Sequence, residues 1–369
     1  MAPVVVPRGD GPVRPLPTGK GHDVLDVEVH TALAGLSTVR DVLARTDADA
    51  FLVLHDGALV AEEYRGDDAS PHPLFSVTKS VVGCLAGRLL AAGDLDVGAP
   101  VTRYVAALSG SGWAAATVRD VLDMRTGGDH RERYDGDDGP DDETAALRAA
   151  AAPGGSVGRW LADHDRSPGD RGVFAYRSAD TEVLGRVVAA VAGRPLPDLV
   201  AAHLLGPLGA EADGLWETDG AGEVYASGGL ALAPRDVLRF AGMLLDGGAV
   251  GSRQVVPARF LRDTYVGEDD SVAAMHARLG AAGDDAPVAP KSLYRNQFWV
   301  LEQGRRVMLA RGVHGQLVLV DGENRTAVVL LSSWPVPTDP LRADAGLACA
   351  RAVAEALGGV HGTDLSLHR

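Results

Sequence analysis

Apolar residues form short strand-like runs near both ends of the chain and recur at helical spacing between them. Runs at residues 51–54 and 58–64, joined by the turn-forming His55-Asp56-Gly57, predict a β-hairpin. Four more β-rich runs follow in the last third, at residues 297–302, 306–310, 316–321 and 326–332. Strands at both ends with helices between them predict an α+β fold, in which one antiparallel sheet is built from both termini and a helical domain is inserted.

The helical pattern is clearest at residues 76–92, where Val77, Val81, Leu85 and Leu89 recur every four residues before Gly93. Further helices are predicted at residues 118–124, 180–192, 199–205 and 234–246, with a last one from Asp339-Pro340 to near Leu357. The Pro- and Gly-rich residues 1–25 predict an extended arm. We therefore expect a sheet domain of residues 26–110 and 225–369, and an inserted helical domain of residues 111–224.

The composition of the chain argues against several classes of protein. The net charge of −15 over 369 residues argues against nonspecific binding to nucleic acid or to an anionic membrane. No apolar stretch approaches the roughly 20 residues that span a bilayer, and residues 1–21 lack the apolar run of a signal peptide. Two cysteines, Cys84 and Cys349, cannot build a disulfide framework or a four-thiolate zinc site. These features predict a cytoplasmic enzyme or globular binding protein, without metal or cofactor.

The strongest chemical signal is a Ser-x-x-Lys sequence, Ser76 to Lys79, at the start of the predicted helix 76–92. Three residues make about one helical turn, so both side chains point the same way. A serine hydroxyl becomes a good nucleophile when a base removes its proton, and a neutral lysine can be that base. Burial or positive neighbours would favour the neutral amine. The alternative is a serine at a helix start followed by an ordinary surface lysine.

Two other segments add candidate groups. Tyr176 and Ser178 form a Tyr-x-Ser sequence before a predicted helix, and a phenol near a lysine can pass protons between nucleophile and leaving group. The alternative for Tyr176 is packing against that helix. Small residues around Gly312 would let a substrate approach a strand edge, where a strand N–H joins the Ser76 N–H as an oxyanion hole. The alternative there is a glycine-rich strand end with a bulge.

As a set, these segments resemble the β-lactamase-like, penicillin-recognising serine hydrolases related to class C. The resemblance covers about residues 50–355 and is nearest to the 6-aminohexanoate-dimer (nylon-oligomer) hydrolase branch, in segments such as 121–126, 176–193, 204–210, 233–240 and 313–316. It implies a β-lactamase/transpeptidase-like fold, with an antiparallel sheet flanked by helices. It also implies an active site at the interface between the sheet domain and the inserted helical domain.

The same resemblance implies roles for individual residues. Ser76 would be acylated, Lys79 would be its base, and Tyr176 would be the proton shuttle. The backbone amides of Ser76 and Val313 would form the oxyanion hole. Residues implied to bind substrate are Tyr134, Trp299, Ser227, Gly312 and His314. Tyr134 would close over the substrate and Trp299 would wall the pocket; an exposed loop tyrosine and a core tryptophan are the alternatives.

The chain departs from the family pattern because it lacks Lys-Thr-Gly, which argues against strong recognition of a β-lactam carboxylate. The acidic segment around Tyr134 suits either a cationic substrate end or solubility alone. We expect a hydrolase that cleaves amide or ester bonds of small linear substrates through an acyl-enzyme. A carboxylesterase, a D-amino-acid-type peptidase and a non-catalytic binding protein of the same fold are the alternatives. The expected partner is a small molecule rather than nucleic acid or membrane, and the resemblance suggests a homodimer.

Overall fold

The two ends of the chain meet in one large sheet. The computed structural model describes residues 3–19, 23–67, 70–127, 132, 143–164, 171–277 and 289–359. Within these residues the strands are β1 (Val4–Val6), β2 (Ala48–His55), β3 (Ala58–Tyr64), β4 (His72–Pro73), β5 (Gly214–Trp216), β6 (Leu230–Leu232), β7 (Ala249–Val250), β8 (Arg253–Gln254), β9 (Leu293–Arg295), β10 (Phe298–Val300), β11 (Val307–Gly312), β12 (Gln316–Asp321) and β13 (Thr326–Ser332).

The large sheet has the order β3-β2-β13-β12-β11-β10-β9, and all neighbouring strands are antiparallel. β12 and β13 are buried along their whole lengths. Helices cover both faces of the sheet, which is why these strands are almost continuously apolar in sequence rather than alternating. The antiparallel sheet and the α+β class are therefore confirmed.

Helices lie on both sides of this sheet and beyond it. Within the described residues they are α1 (Val39–Arg45), α2 (Val77–Ala92), α3 (Val118–Leu122), α4 (Glu143–Ala151), α5 (Val157–Asp163), α6 (Ser178–Ala192), α7 (Leu196–Val200), α8 (Gly206–Leu208), α9 (Pro234–Leu245), α10 (Ala258–Val266), α11 (Ser271–His276) and α12 (Pro340–Gly358). A π-helical segment, Ala201–Leu205, joins α7 to α8. α9 packs on one face of the large sheet and α12 on the other.

α2 lies between the large sheet and α6. Its first eleven residues, Val77 to Gly87, are all buried, so this part of the helix is surrounded by protein on every side. Two of its glycines allow this close packing. A Cβ atom on Gly83 would lie 2.5 Å from the carbonyl oxygen of Asn296, and one on Gly87 would lie 2.5 Å from the ring of Phe260. These contacts set the position of α2 against the turn between β9 and β10 and against α10.

The N-terminal segment is part of a second sheet, of order β1-β5-β6-β4. β1 lies inside the predicted arm and pairs with β5. Further along the arm, the Gly19 N–H donates to the Leu59 carbonyl at 2.9 Å. Residues 3–19 are therefore packed on the body of the protein. The four strands of this sheet come from the predicted arm, from both parts of the predicted sheet domain and from the predicted helical domain. The boundaries of these domains remain a prediction.

No single helix within the described residues is long and apolar enough to cross a membrane. The pair Ser178–Ala192 and Leu196–Leu208 reaches that length and composition only when taken together, and the two helices are bent by 72°.

The close packing of α2 predicts that Gly83→Ala destabilises the protein. Alanine normally favours a helix over glycine by about 1 kcal/mol. Here its Cβ would meet the Asn296 carbonyl, so we expect a net loss of about 1–3 kcal/mol in the free energy of unfolding, measured by urea denaturation. Gly110→Ala is the control, because nothing lies within 4 Å of a Cβ atom there. Equal stability of the two variants would contradict the packing argument.

Candidate active site

Ser76 lies immediately before α2, and its hydroxyl does not cap that helix. Hydrogen bonds of i to i+3 spacing close the first turn, with the Val77 N–H donating to Leu74 and the Lys79 N–H to Ser76, both at 3.1 Å. The turn places the side chain of Lys79 beside that of Ser76, and the distance from Lys79 Nζ to Ser76 Oγ is 2.9 Å. The spacing of the Ser-x-x-Lys sequence therefore produces direct contact between the two side chains.

The amine of Lys79 is enclosed by three oxygen atoms. Besides Ser76 Oγ, it contacts Ser178 Oγ at 2.9 Å and the carbonyl oxygen of Ser227 at 2.7 Å. Lys79 is only 1% exposed. Burial lowers its pKa to about 8, although the carboxylates of Glu132 and Glu182 act in the opposite direction. About half of this amine is therefore neutral near pH 8, where an ordinary lysine is almost fully charged.

A neutral amine has two N–H donors and one lone pair. If Lys79 donates to Ser178 Oγ and to the Ser227 carbonyl, its lone pair faces the hydroxyl of Ser76. The Ser227 carbonyl has no proton to donate, so this contact requires an N–H from Lys79. The arrangement allows Ser76 to transfer its proton to Lys79.

Tyr176 is on the other side of Ser76. Its ring centroid lies 5.3 Å from Lys79 Nζ, and an interaction with the Ser76 side chain acts to lower the pKa of its hydroxyl. Burial raises the pKa of the phenol above its usual value, so the hydroxyl keeps its proton at neutral pH. The ring stacks on Trp299 of β10, with centroids 5.3 Å apart and planes 15° apart. Trp299 is therefore directly beside the candidate site, where it also packs against Phe174 and Tyr294.

A buried carboxylate supports the position of Ser227. Glu182 of α6 is 0% exposed and accepts the Ser227 N–H at 2.7 Å. Burial raises its pKa, whereas Arg186 at 3.3 Å and the Ser227 N–H both favour the charged form. Ser227 is thus held through its N–H by Glu182 and through its carbonyl by Lys79. α6 contributes both Ser178 and Glu182, four residues apart and on one helix face.

The end of β11 passes close to the segment before Ser76. A Cβ atom on Gly312 would lie 2.6 Å from the Leu74 carbonyl and 3.1 Å from Phe75 Cβ, so a larger residue does not fit there. Val313 follows β11 directly. Within the described part of the chain, neither the Ser76 N–H nor the Val313 N–H has a hydrogen-bond acceptor. Two backbone donors are thus free on adjoining segments.

The acidic segment is described at one residue. The Glu132 carboxylate accepts the Ser178 N–H at the start of α6. Tyr134, predicted to close over the substrate, lies outside the described residues. No group of three or more His, Cys, Asp or Glu side chains suited to a metal ion occurs in the described ranges.

This fold and the similarity of the sequence to known proteins point to the same family. A family model described as Beta-lactamase matches residues 37–351. The chain belongs to the beta-lactamase family. A relative, the 6-aminohexanoate-dimer hydrolase of Paenarthrobacter ureafaciens, is 32% identical over 311 residues, which are 80% of this chain and 75% of that protein. The predicted resemblance is confirmed, and the chain is a hydrolase of this family.

Solved structures show the same beta-lactamase-type fold. A Bacillus anthracis protein assigned as a 6-aminohexanoate-dimer hydrolase has a TM-score of 0.82 and 22% identity, with 97% of this chain and 92% of that chain covered. A family VIII carboxylesterase has a TM-score of 0.60 and 16% identity, with 85% and 95% covered.

Most of the predicted site residues are close together in this beta-lactamase-type structure. Lys79 contacts Ser76 and Ser227 directly, the Tyr176 ring lies beside Lys79 Nζ, and Trp299 stacks on Tyr176. Gly312, Val313 and His314 lie at the end of β11, beside Phe75. Ser178 was part of the predicted Tyr-x-Ser sequence but was given no role of its own, and Glu182 was not predicted. Ser178 and Glu182 are four residues apart in the helix that follows Tyr176, so they lie on one helix face. That spacing is the sequence signal by which they could be found.

The site geometry predicts that Lys79 titrates near pH 8. Selective ¹³C labelling of lysine with NMR detection measures this directly, because the chain has three lysines, and Lys79→Met identifies the signal. Glu182→Gln removes a negative charge that stabilises the ammonium form, so it should lower the Lys79 pKa further. Titration of Lys79 near the ordinary lysine value of about 10.4 would contradict the account.

Proposed function

We propose that this beta-lactamase-family hydrolase cleaves amide or ester bonds of small linear substrates through an acyl-enzyme on Ser76. The observation that carries the proposal is the contact of 2.9 Å between Lys79 Nζ and Ser76 Oγ, with two further oxygens occupying the other donor positions of the amine. Lys79 is the general base, and Tyr176 is the proton shuttle.

Acylation begins when Ser76 Oγ attacks the substrate carbonyl and its proton moves to Lys79. The negative charge on the carbonyl oxygen is stabilised by the N–H groups of Ser76 and Val313, which have no other acceptor in the described part of the chain. The bond to the leaving group then breaks as Tyr176 donates a proton to the departing nitrogen or oxygen. The proton on Lys79 restores the Tyr176 hydroxyl.

Deacylation follows the same proton path. A water molecule attacks the acyl group on Ser76 and transfers a proton through Tyr176 and Lys79. The bond between Ser76 Oγ and the acyl carbon breaks, and Ser76 regains its proton. Tyr176 is protonated at neutral pH, so it relays the proton by accepting one from the water while it passes its own to the neutral Lys79.

The proposed substrate class is a linear amide similar to the 6-aminohexanoate dimer. Support comes from the relative of that name at 32% identity and from the stacked, half-buried rings of Trp299 and Tyr176, which suit contact with an alkyl chain. β11 ends in Ala310-Arg311-Gly312 instead of Lys-Thr-Gly, so a β-lactam is the less suitable substrate. The cytoplasmic location, the homodimer and the closing role of Tyr134 are also part of the proposal.

Ser76→Ala should reduce turnover of a p-nitrophenyl ester to the background rate, because it removes the proposed nucleophile. The Ser178 hydroxyl also contacts Lys79, but in this scheme it accepts an N–H from the amine. The release of p-nitrophenolate measures this, and circular dichroism checks that the variant is folded. Ser109→Ala is the control, since this serine is exposed and lies outside the site. Turnover by Ser76→Ala close to that of the wild type would rule out the proposed nucleophile.

Relative kcat/KM values for the 6-aminohexanoate dimer, short p-nitrophenyl esters and a chromogenic cephalosporin distinguish the candidate activities. We expect the dimer to be cleaved and the cephalosporin to be a poor substrate. Cleavage of esters without any cleavage of the dimer would favour a carboxylesterase, the alternative that shares this mechanism.

A further inference from the structure

Two residues with left-handed backbone conformation flank the proposed oxyanion hole. Phe75, with φ of +45°, immediately precedes Ser76, and His314, with φ of +59°, immediately follows Val313. Side chains other than glycine seldom adopt this conformation, and such strain persists only where the surrounding structure maintains it. Both strained residues adjoin a backbone amide that has no acceptor within the described residues.

The two strained residues are in contact with each other. The rings of Phe75 and His314 have centroids 5.1 Å apart with an angle of 36° between their planes. Phe75 Cβ is also next to the position that a side chain on Gly312 would occupy, at 3.1 Å. The backbone before Ser76 and the backbone around Val313 therefore hold each other through side-chain packing.

His314 is fixed from a third segment as well. Its Nδ1 is 2.7 Å from the carbonyl oxygen of Trp334, and because a carbonyl only accepts, Nδ1 must carry the proton. Its backbone N–H donates to the Pro337 carbonyl at 2.8 Å, and its carbonyl accepts the Trp334 N–H at 3.3 Å. A Cβ atom on Gly315 would lie 2.4 Å from the Trp334 indole ring, so the chain is tightly packed on this side too.

We propose that Phe75 and His314 are positioning residues, which together hold the N–H groups of Ser76 and Val313 in the orientation that stabilises the oxyanion. The proposal rests on the proposed function, because it needs an oxyanion to form at Ser76. It gives His314 a role besides the predicted substrate contact, which stays a prediction: its Nδ1 is occupied by Trp334, and its ring packs against Phe75.

The chemistry of histidine suits this position in two ways. Histidine, asparagine and aspartate tolerate the left-handed conformation better than most residues. Of these three, only histidine and asparagine have a side-chain N–H that can replace His314 Nδ1 as the donor to the Trp334 carbonyl. Asparagine is therefore the conservative replacement for His314, and alanine removes both the donor and the ring.

The test measures kcat and KM for a p-nitrophenyl ester in His314→Ala, His314→Asn and Phe75→Leu. A misplaced oxyanion donor lowers the rate of the chemical step more than it weakens substrate binding. We expect His314→Ala to lower kcat by about ten- to a hundredfold with KM changed less than about threefold. His314→Asn should recover much of that loss because it restores the donor to Trp334, and Phe75→Leu should lower kcat in the same selective way.

Affinity for a boronic acid that mimics the tetrahedral intermediate should fall in parallel with kcat/KM across the series. A kcat within about twofold of wild type in His314→Ala, or equal losses in kcat and 1/KM, would overturn the proposal. Melting temperatures establish which variants are folded, and if His314→Ala is not, His314→Asn and Phe75→Leu decide in its place. His30→Ala is the control, since this histidine is exposed.

The outcome separates this proposal from the one on which it rests. If ester turnover does not depend on Ser76, the proposed function itself fails. If turnover depends on Ser76 and the His314 and Phe75 variants retain their kcat, the positioning role alone is wrong.

Discussion

The Lys79 amine is removed from water, and the arrangement of the site follows from that constraint. An ammonium ion without solvent is costly, so burial lowers the pKa to about 8 and makes the neutral amine accessible. Two of its contacts, Ser178 Oγ and the Ser227 carbonyl, use the N–H donors of that neutral form. The lone pair of the neutral amine is then directed toward Ser76. α2, α6 and the turn that holds Ser227 must therefore keep their relative positions for the amine to act as a base.

Arginine and lysine have different tasks in this chain. The sequence has 35 Lys and Arg residues, of which three are lysine. Arginine forms buried structural ion pairs, such as Arg295 with Asp123 at 2.8 Å, next to the β9–β10 turn on which Gly83 of α2 packs. Arginine stays protonated in such places, whereas a buried lysine can release its proton. Lys291 is exposed and pairs with Glu302, so Lys79 is the described lysine suited to proton transfer.

Local patterns in the sequence predicted the main strands and the reactive pair. β12 and β13 have the predicted bounds, and Ser76 contacts Lys79 as the Ser-x-x-Lys spacing predicted. Both predictions succeeded because strand bounds and this contact depend on residues that are close together in the chain. Short strands such as β1, β5 and β6 were not predicted, since three residues carry little periodicity and their pairing joins distant segments. The contacts of Glu182 with Ser227 and of His314 with Trp334 are also long-range. They depend on which elements meet in the folded protein, which periodicity alone does not reveal.

The central claim, that Lys79 in its neutral form activates Ser76, is tested most directly by the pH dependence of covalent labelling. A fluorophosphonate probe reacts with an activated serine, and mass spectrometry identifies the residue and the rate of labelling. The account predicts an adduct on Ser76 whose rate of formation rises with pH through about 8, as Lys79 loses its proton. An adduct on another residue, no adduct at all, or a rate that is independent of pH between 6 and 10 would contradict it.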